Sequence, residues 1–166
     1  MHRRLSTVLV VMALLMAACS SNTATTTTTT AEGTTAAGEG TTAAPAEGTV
    51  KVTLADVSAT SMLLTPSPTS APAGDVTFEV TNSGNVEHEF VVIKTDLSLD
   101  NLPFDESADE VIEDGEGMTP IDEIEGIQPG ETKTLTVTLE AGNYVLICNL
   151  EGHFRMGMKA TFTVSG

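Results

Sequence analysis

Three side chains that can bind a soft metal ion lie close together near the end of the chain. Cys148, His153 and Met158 have the spacing C-x4-H-x4-M, which brings a thiolate, an imidazole and a thioether into one short segment. Sulfur ligands with imidazole select copper over hard ions, and two imidazoles, one thiolate and a weak axial Met are typical of a blue-copper (type 1) site. The sequence therefore predicts a copper site in residues 148–158, which we call the ligand loop.

The second imidazole has to come from elsewhere in the chain. The sequence has 3 histidines, and His2 lies in an N-terminal leader, which leaves His88 as the partner of His153. His88 stands just before a continuous apolar run, residues 90–93, that predicts a buried strand. We therefore predict that His88 completes a set of four copper ligands.

Two alternatives concern the identity of the ligands and of the metal. Met156 could take the axial position in place of Met158. Met158 is preferred because it directly precedes the last predicted strand and follows Gly157, which permits a close approach of the backbone. Zinc could bind the two imidazoles and the thiolate with a water molecule, but the neighbouring Met would then have no role.

Short β-like segments surround these ligands. Three of them alternate apolar with polar residues, and the others are apolar runs or a short closing segment: residues 50–54, 76–80 and 135–139, then 90–93, 144–148 and 161–164. Turn-forming sequences rich in Gly, Pro and Asn separate them. About seven strands without a long helical period predict an all-β, Greek-key β-sandwich over residues 48–166.

The ligand set and the strand before it resemble the cupredoxin family over residues 48–166. The matching strand reads Ala-Gly-Asn-Tyr-Val-Leu-Ile-Cys and ends at Cys148. The resemblance implies that Tyr144 packs in the domain with its hydroxyl bonded to backbone. It also implies that the edge of His153 approaches solvent among apolar residues such as Phe154 and Met156. Many members have Asn or Ser directly after the first His to tie the two ligand segments together, whereas this chain has Glu89.

The resemblance implies a function in one-electron transfer, with copper cycling between Cu(I) and Cu(II). The alternative is a copper carrier or buffer of the cell envelope, since the same ligands could serve it. A copper oxidase or nitrite reductase would need further copper ligands, and 3 histidines are too few. We therefore expect that the protein is not an enzyme.

The N-terminal region has the features of an export signal followed by a lipid anchor. Residues 1–18 combine Arg3 and Arg4 with an apolar run and small residues, as in a secretory signal peptide. Cys19 follows directly, in a context that resembles a bacterial lipobox. Residues 19–47 are rich in Thr, Ala and Gly and predict a flexible tether. We expect a protein that is lipidated at Cys19 and held on the outer face of the cell membrane.

The chain is strongly acidic. It has 23 acidic and 7 basic residues, and two of the basic residues are in the leader. This charge disfavours nucleic acid as a partner and predicts a basic redox partner, cytochrome-like or oxidase-like. Residues 96–131, the acidic insert, hold 13 of the acids and no Lys or Arg. We expect a short helix at residues 107–113 within it, and a monomeric protein.

Overall fold

The computed structural model describes residues 48–166, so the predicted leader, Cys19 and the tether lie outside the described residues. Residues 48–166 form eleven strands and no helix. None of their elements is a helix long and apolar enough to cross a membrane. In chain order the strands are β1 (Thr49–Ser58), β2 (Ser61–Ser67), β3 (Ser70–Pro72), β4 (Gly74–Asn82), β5 (His88–Lys94), β6 (Phe104–Asp105), β7 (Glu110–Val111), β8 (Thr119–Ile127), β9 (Thr132–Leu139), β10 (Gly142–Ile147) and β11 (Lys159–Ser165).

Two sheets form a sandwich. The first has four strands in the order β2-β1-β4-β9, and the second has five in the order β3-β11-β10-β5-β8. Strand β1 runs parallel to β4 and β11 runs parallel to β3, while the other neighbours are antiparallel. The predicted all-β sandwich is confirmed.

The core between the sheets follows from the alternation of apolar residues along the strands. Phe78 of the first sheet packs against Phe90 and Phe162 of the second, with ring centroids 5.2 and 5.4 Å apart. Tyr144 is buried, and its hydroxyl donates to the carbonyl of Glu140 at 2.8 Å. The packing role predicted for Tyr144 is therefore confirmed.

A second apolar cluster explains why β5 and β10 have continuous apolar runs. Phe90 and Val92 face the core between the sheets, whereas Val91 and Ile93 face outwards. The outward face is covered by residues 96–118, which we call the cover segment. The side chains of the cover segment in this cluster are Leu97, Leu99, Leu102, Phe104, Val111 and Met118. A strand that is buried on both faces needs apolar residues at every position, and the runs in β5 and β10 meet that need.

The helix predicted at residues 107–113 is wrong. Asp109 has a φ of 57°, a left-handed conformation that interrupts a right-handed helix. The side chain of Asp105 also accepts hydrogen bonds from the N–H groups of Ser107 (2.8 Å) and Ala108 (3.3 Å), which forms a turn. The segment instead forms the small β6–β7 ribbon, in which Phe104 pairs with Val111.

Candidate metal centre

The strand pairing brings the predicted ligands to one end of the five-stranded sheet. His88 begins β5, and Cys148 follows the end of β10, which runs antiparallel to β5. The N–H of Cys148 donates to the carbonyl of Met158 at 3.0 Å, one step beyond the β10–β11 ladder. The two ends of the ligand loop therefore lie side by side, and His88 lies on the neighbouring strand.

Hydrogen bonds within the ligand loop fix its path. The N–H of His153 donates to Leu150 (2.9 Å) and the N–H of Met158 donates to His153 (3.1 Å). Gly157 has a φ of 114°, and a Cβ there would lie 2.6 Å from the carbonyl oxygen of Met62. This glycine therefore permits a close approach of the loop to β2, a reason that differs from the approach to the metal that we expected.

The donor atoms of three predicted ligands converge. The Nδ1 atoms of His88 and His153 are 3.2 Å apart, and the Sγ of Cys148 lies 3.9 Å from the first and 3.3 Å from the second. His88 and Cys148 are fully buried, whereas His153 is only half-buried. These atoms form a group that could hold one metal ion.

The two candidate axial ligands differ in burial. Met158 is fully buried in the core cluster that also contains Cys148, whereas Met156 is partly exposed and packs against the outside of that cluster. The carbonyl of Met156 accepts a hydrogen bond from the N–H of Met62 at 2.8 Å. The assignment of Met158 as the axial ligand stays a prediction.

Burial sets the protonation of the donors. It raises the pKa of the Cys148 thiol to about 11, although N–H groups of Glu89 and Leu150 oppose the shift. Burial, together with the neighbouring His88, lowers the pKa of His153 below its ordinary value. At neutral pH His153 is therefore an uncharged imidazole, and Cys148 is a thiol whose proton a metal ion must displace.

Asp56 contacts the side of His88 that faces away from the converging donors. Its Oδ1 lies 2.9 Å from the Nε2 of His88, while Nδ1 of the same ring faces His153 and Cys148. The pKa of Asp56 is lowered, chiefly by the N–H of Asn85 and further by His88, so the carboxylate is charged at neutral pH. Asp56 could not be predicted from the sequence, because it lies on β1 and no local pattern links it to His88.

Glu89 connects the two ligand segments. Its N–H donates to the Sγ of Cys148 at 3.4 Å, and its carboxylate accepts the N–H of Asn149 at 2.6 Å. Burial raises the pKa of Glu89 to about 7. The carboxylate therefore makes the tie between ligand segments that Asn or Ser makes in the pattern expected of the family.

Asn149 binds the ligand loop to the cover segment. Its Oδ1 accepts the N–H of Val111 (2.7 Å), and its Nδ2 donates to the carbonyl of Val111 (2.9 Å) and to Glu113 (2.8 Å). The N–H of Gly152 donates to the carbonyl of Asp109 at 3.0 Å. The ligand loop and the cover segment are thus hydrogen-bonded to each other through the Asn149 side chain and through one pair of backbone groups.

Further contacts of the same segments correct the position expected for Phe154. Arg155 forms ion pairs with Glu106 and Asp109 and lies over the ring of Phe104. Phe154 is buried beneath the cover segment, with its ring centroid 6.0 Å from that of Phe104. Phe154 therefore does not line the solvent edge of His153, because the cover segment buries the ring of Phe154.

The donor set fits copper. One thiolate and two imidazoles that can present Nδ1, with a buried thioether next to the thiolate in the same core, are ligands that copper prefers over hard ions. His88, Cys148 and His153 would hold the metal, and Met158 is the predicted fourth ligand. The residues present therefore fit a single type 1 copper ion.

One family model matches the part of the chain that carries this site. The model of the sulfocyanin (SoxE) domain matches residues 69–166, a range that contains all four predicted ligands. No curated protein sequence matches the chain.

Three similar solved structures are two auracyanins and a rusticyanin. The auracyanin of Roseiflexus castenholzii is 20% identical, with a TM-score of 0.48, over 70% of this chain and 97% of that one. Auracyanin A, a "blue" copper protein of Chloroflexus aurantiacus, is 21% identical, with a TM-score of 0.46, over 71% and 100%. The rusticyanin of Thiobacillus ferrooxidans is 23% identical, with a TM-score of 0.46, over 72% and 79%.

Proposed function

The chain belongs to the sulfocyanin (SoxE) domain family of cupredoxin-type proteins, and we propose that it transfers single electrons through one type 1 copper site on the outer face of the cytoplasmic membrane. The observation that supports this proposal is the convergence of His88, Cys148 and His153 within 4.8 Å. Bound copper would supply the one-electron chemistry, by alternating between Cu(I) and Cu(II).

The residues of the chain have distinct roles in this proposal. Cys148 contributes the thiolate, and the N–H of Glu89 donates to its sulfur. Hydrogen bonds at both ends of the ligand loop hold the donors in place, so that little rearrangement should accompany a change of charge. His153 is the ligand that reaches solvent, and we assign it as the point of entry and exit for the electron.

The burial of the ligands favours electron transfer over copper delivery. A carrier must pass copper to ligands of a partner, which need access to the metal. Here His88, Cys148 and Met158 are all fully buried. An electron can pass through the edge of His153 without any ligand moving. We therefore propose a redox carrier without enzymatic activity of its own.

The visible spectrum of the copper-loaded full-length protein tests this function. We expect intense thiolate-to-copper absorption in wild type and its loss in Cys148→Ser. A strong Cu(I) chelator should remove copper from the reduced protein slowly. A small redox reagent should oxidise the same reduced protein at a far higher rate. A colourless Cu(II) adduct would contradict the copper site, and copper loss as fast as electron exchange would favour the carrier.

The acidic surface supports the proposal that the redox partner is a basic protein. The presence of Cys19 supports the proposal that the chain carries a lipid anchor. Glu87 and Glu151 are exposed and lie next to ligand segments, and Glu110 lies on β7 beside Val111. Attraction between opposite charges mainly raises the rate of encounter and is screened over about 8 Å at physiological ionic strength. Electron exchange with a cationic cytochrome should therefore slow as salt rises.

Two triple variants make the salt test specific. The first variant changes Glu87, Glu110 and Glu151 to Gln. It should show a weaker dependence of the stopped-flow electron-exchange rate on salt than wild type. The matched control changes Asp75 and Asp96 to Asn and Glu140 to Gln. These residues lie at the opposite end of the strands, and the three substitutions remove the same amount of negative charge. Equal slopes for the two variants would contradict a partner surface at the copper end.

A further inference from the structure

We propose that Asp56 is a positioning residue for the copper site, which presents the Nδ1 of His88 to the metal and stabilises Cu(II) relative to Cu(I). The proposal rests on the copper site described above and adds a residue that supplies no ligand atom. Asp56 contacts His88 through Nε2, on the edge of the ring opposite to the donor atom.

The first argument is the orientation of the imidazole. His88 is fully buried, and its two ring nitrogens have different partners. When Nε2 carries its proton and donates to Asp56 over 2.9 Å, the lone pair is on Nδ1, which faces Cys148 and His153. The carboxylate therefore selects the tautomer that a metal needs, and no ring rotation is required on binding.

The second argument is that the carboxylate is itself held firmly. Asp56 lies at an irregularity in the pairing of β1 with β2, and its carboxylate accepts a hydrogen bond from the N–H of Asn85. A Cβ at Gly84 would lie 2.6 Å from the Asp56 carboxylate, so the turn after β4 has been kept small where the carboxylate packs. The carboxylate is therefore held beside His88 by the turn that follows β4.

The same turn is fixed from its other side. Asn82 is fully buried, donates to the carbonyl groups of Val86 and Ile127 at 2.8 Å each, and accepts the N–H of Gly84 at 2.8 Å. The N–H of Asn85, which binds Asp56, therefore belongs to a turn with little freedom to move. A carboxylate held in this way gives His88 a fixed partner rather than a mobile one.

The third argument is charge. Within residues 48–166 no Lys or Arg lies within 4 Å of the Asp56 carboxylate, and the basic side chain that it contacts there is the imidazole of His88. Its side chain is 14% exposed, so water screens it only in part. A negative charge on the far side of the imidazole raises the basicity of the ligand and stabilises the more positive metal ion. Asp56 should therefore lower the reduction potential of the site.

The test compares three variants of the full-length protein with wild type. Asp56→Asn removes the charge and keeps the shape, and Asp56→Glu restores the charge with altered geometry. Asp75→Asn is the matched control, because Asp75 is an exposed Asp at the start of β4 whose carboxylate accepts a hydrogen bond from Thr138. The readouts are the ¹⁵N spectrum of the His88 ring without copper, the affinities for Cu(II) and Cu(I), and the reduction potential.

The expected results follow from the two roles. Without copper, wild type should show one tautomer of His88 with the proton on Nε2, and Asp56→Asn should show a mixture. Cu(II) affinity should fall about 10- to 100-fold in Asp56→Asn, as is usual when a partner of a ligating His is lost. If the factor by which Cu(I) affinity falls is ten times smaller than the factor for Cu(II), the reduction potential rises by about 59 mV for this one-electron couple. Asp56→Glu should recover part of both losses, and Asp75→Asn should match wild type.

Two outcomes would overturn the proposal. One is an unchanged tautomer of His88 in Asp56→Asn, and the other is a potential that moves no more than in Asp75→Asn. If Asp56→Asn does not fold, Gly84→Ala displaces the carboxylate without removing its charge, and it should shift the potential upwards by less. A wild-type protein without blue colour would instead contradict the proposed function, while the copper-free spectrum would still test the contact between Asp56 and His88.

Discussion

Replacing Asn149 with Ala should uncouple the cover segment from the ligand loop. Val111 is only 4% exposed, and Asn149 is the side chain that pairs with both its N–H and its C=O. The substitution leaves these two buried groups without partners. An unpaired buried polar group costs about 1–3 kcal/mol. Asn149 is itself 8% exposed, so some water can enter, and we expect a loss of about 2–4 kcal/mol in the free energy of unfolding.

Urea unfolding of the copper-free protein measures this loss, and hydrogen exchange locates it. The amide of Val111 should exchange much faster in Asn149→Ala, whereas amides of the core strands should change only with the global stability. The matched control is Asn101→Ala, which removes an exposed hydrogen bond to Ser98 within the same cover segment. That variant should lie within about 0.5 kcal/mol of wild type. Equal stability of the two variants, with Val111 still protected, would refute the coupling of the two segments.

Three further predictions concern the core, the ligand tie and the anchor. Phe78→Ala should lower the free energy of unfolding by about 3–5 kcal/mol in urea, because the ring is fully buried between two other aromatic rings. Burial raises the pKa of Glu89 from 4.5 to about 7. The free energy of unfolding of the copper-free protein should therefore fall as the pH rises through that range. The decline should be smaller in Glu89→Gln, which the urea midpoints at pH 4.5 and 8 would show. Cys19→Ala should release the protein from membranes or block its processing, as measured by fractionation and by the mass of the mature N-terminus.

Each of these predictions has a contrary outcome. A loss below 1 kcal/mol for Phe78→Ala would mean that the three rings are not a tightly packed core. The same pH dependence in Glu89→Gln and wild type would remove Glu89 as the cause of the decline. A mature N-terminus without lipid would contradict the anchor.

Most of the sandwich could be predicted because its strands carry their own signal. Alternation marked β1, β4 and β9, and apolar runs marked β5 and β10. Strand β8 was missed, because its exposed positions include Asp122, Glu123 and Glu125 and it lies at the edge of its sheet. An edge strand with one face exposed to solvent needs few apolar residues. The sequence of β8 therefore resembles that of an acidic loop.

The ligands could be predicted from residue type and spacing, since three of them lie in one short segment. The residues around them could not. Asp56, Glu89 and Asn149 act through partners that are 29 or more residues away in sequence, and only the pairing of strands brings those partners together. The buried position of Phe154 was likewise hidden, because it depends on where the cover segment packs.

The hydrogen bonds between the ligand loop and the cover segment have a consequence for exchanging parts between related proteins. A graft of residues 148–158 into another member of the fold would carry three of the four ligands, but Asn149, Gly152 and Arg155 would arrive without their partners. Those partners are Val111, Glu113, Asp109 and Glu106. In this chain the transferable unit is therefore two segments, residues 96–118 and 148–158, which would have to be inherited or transplanted as a pair.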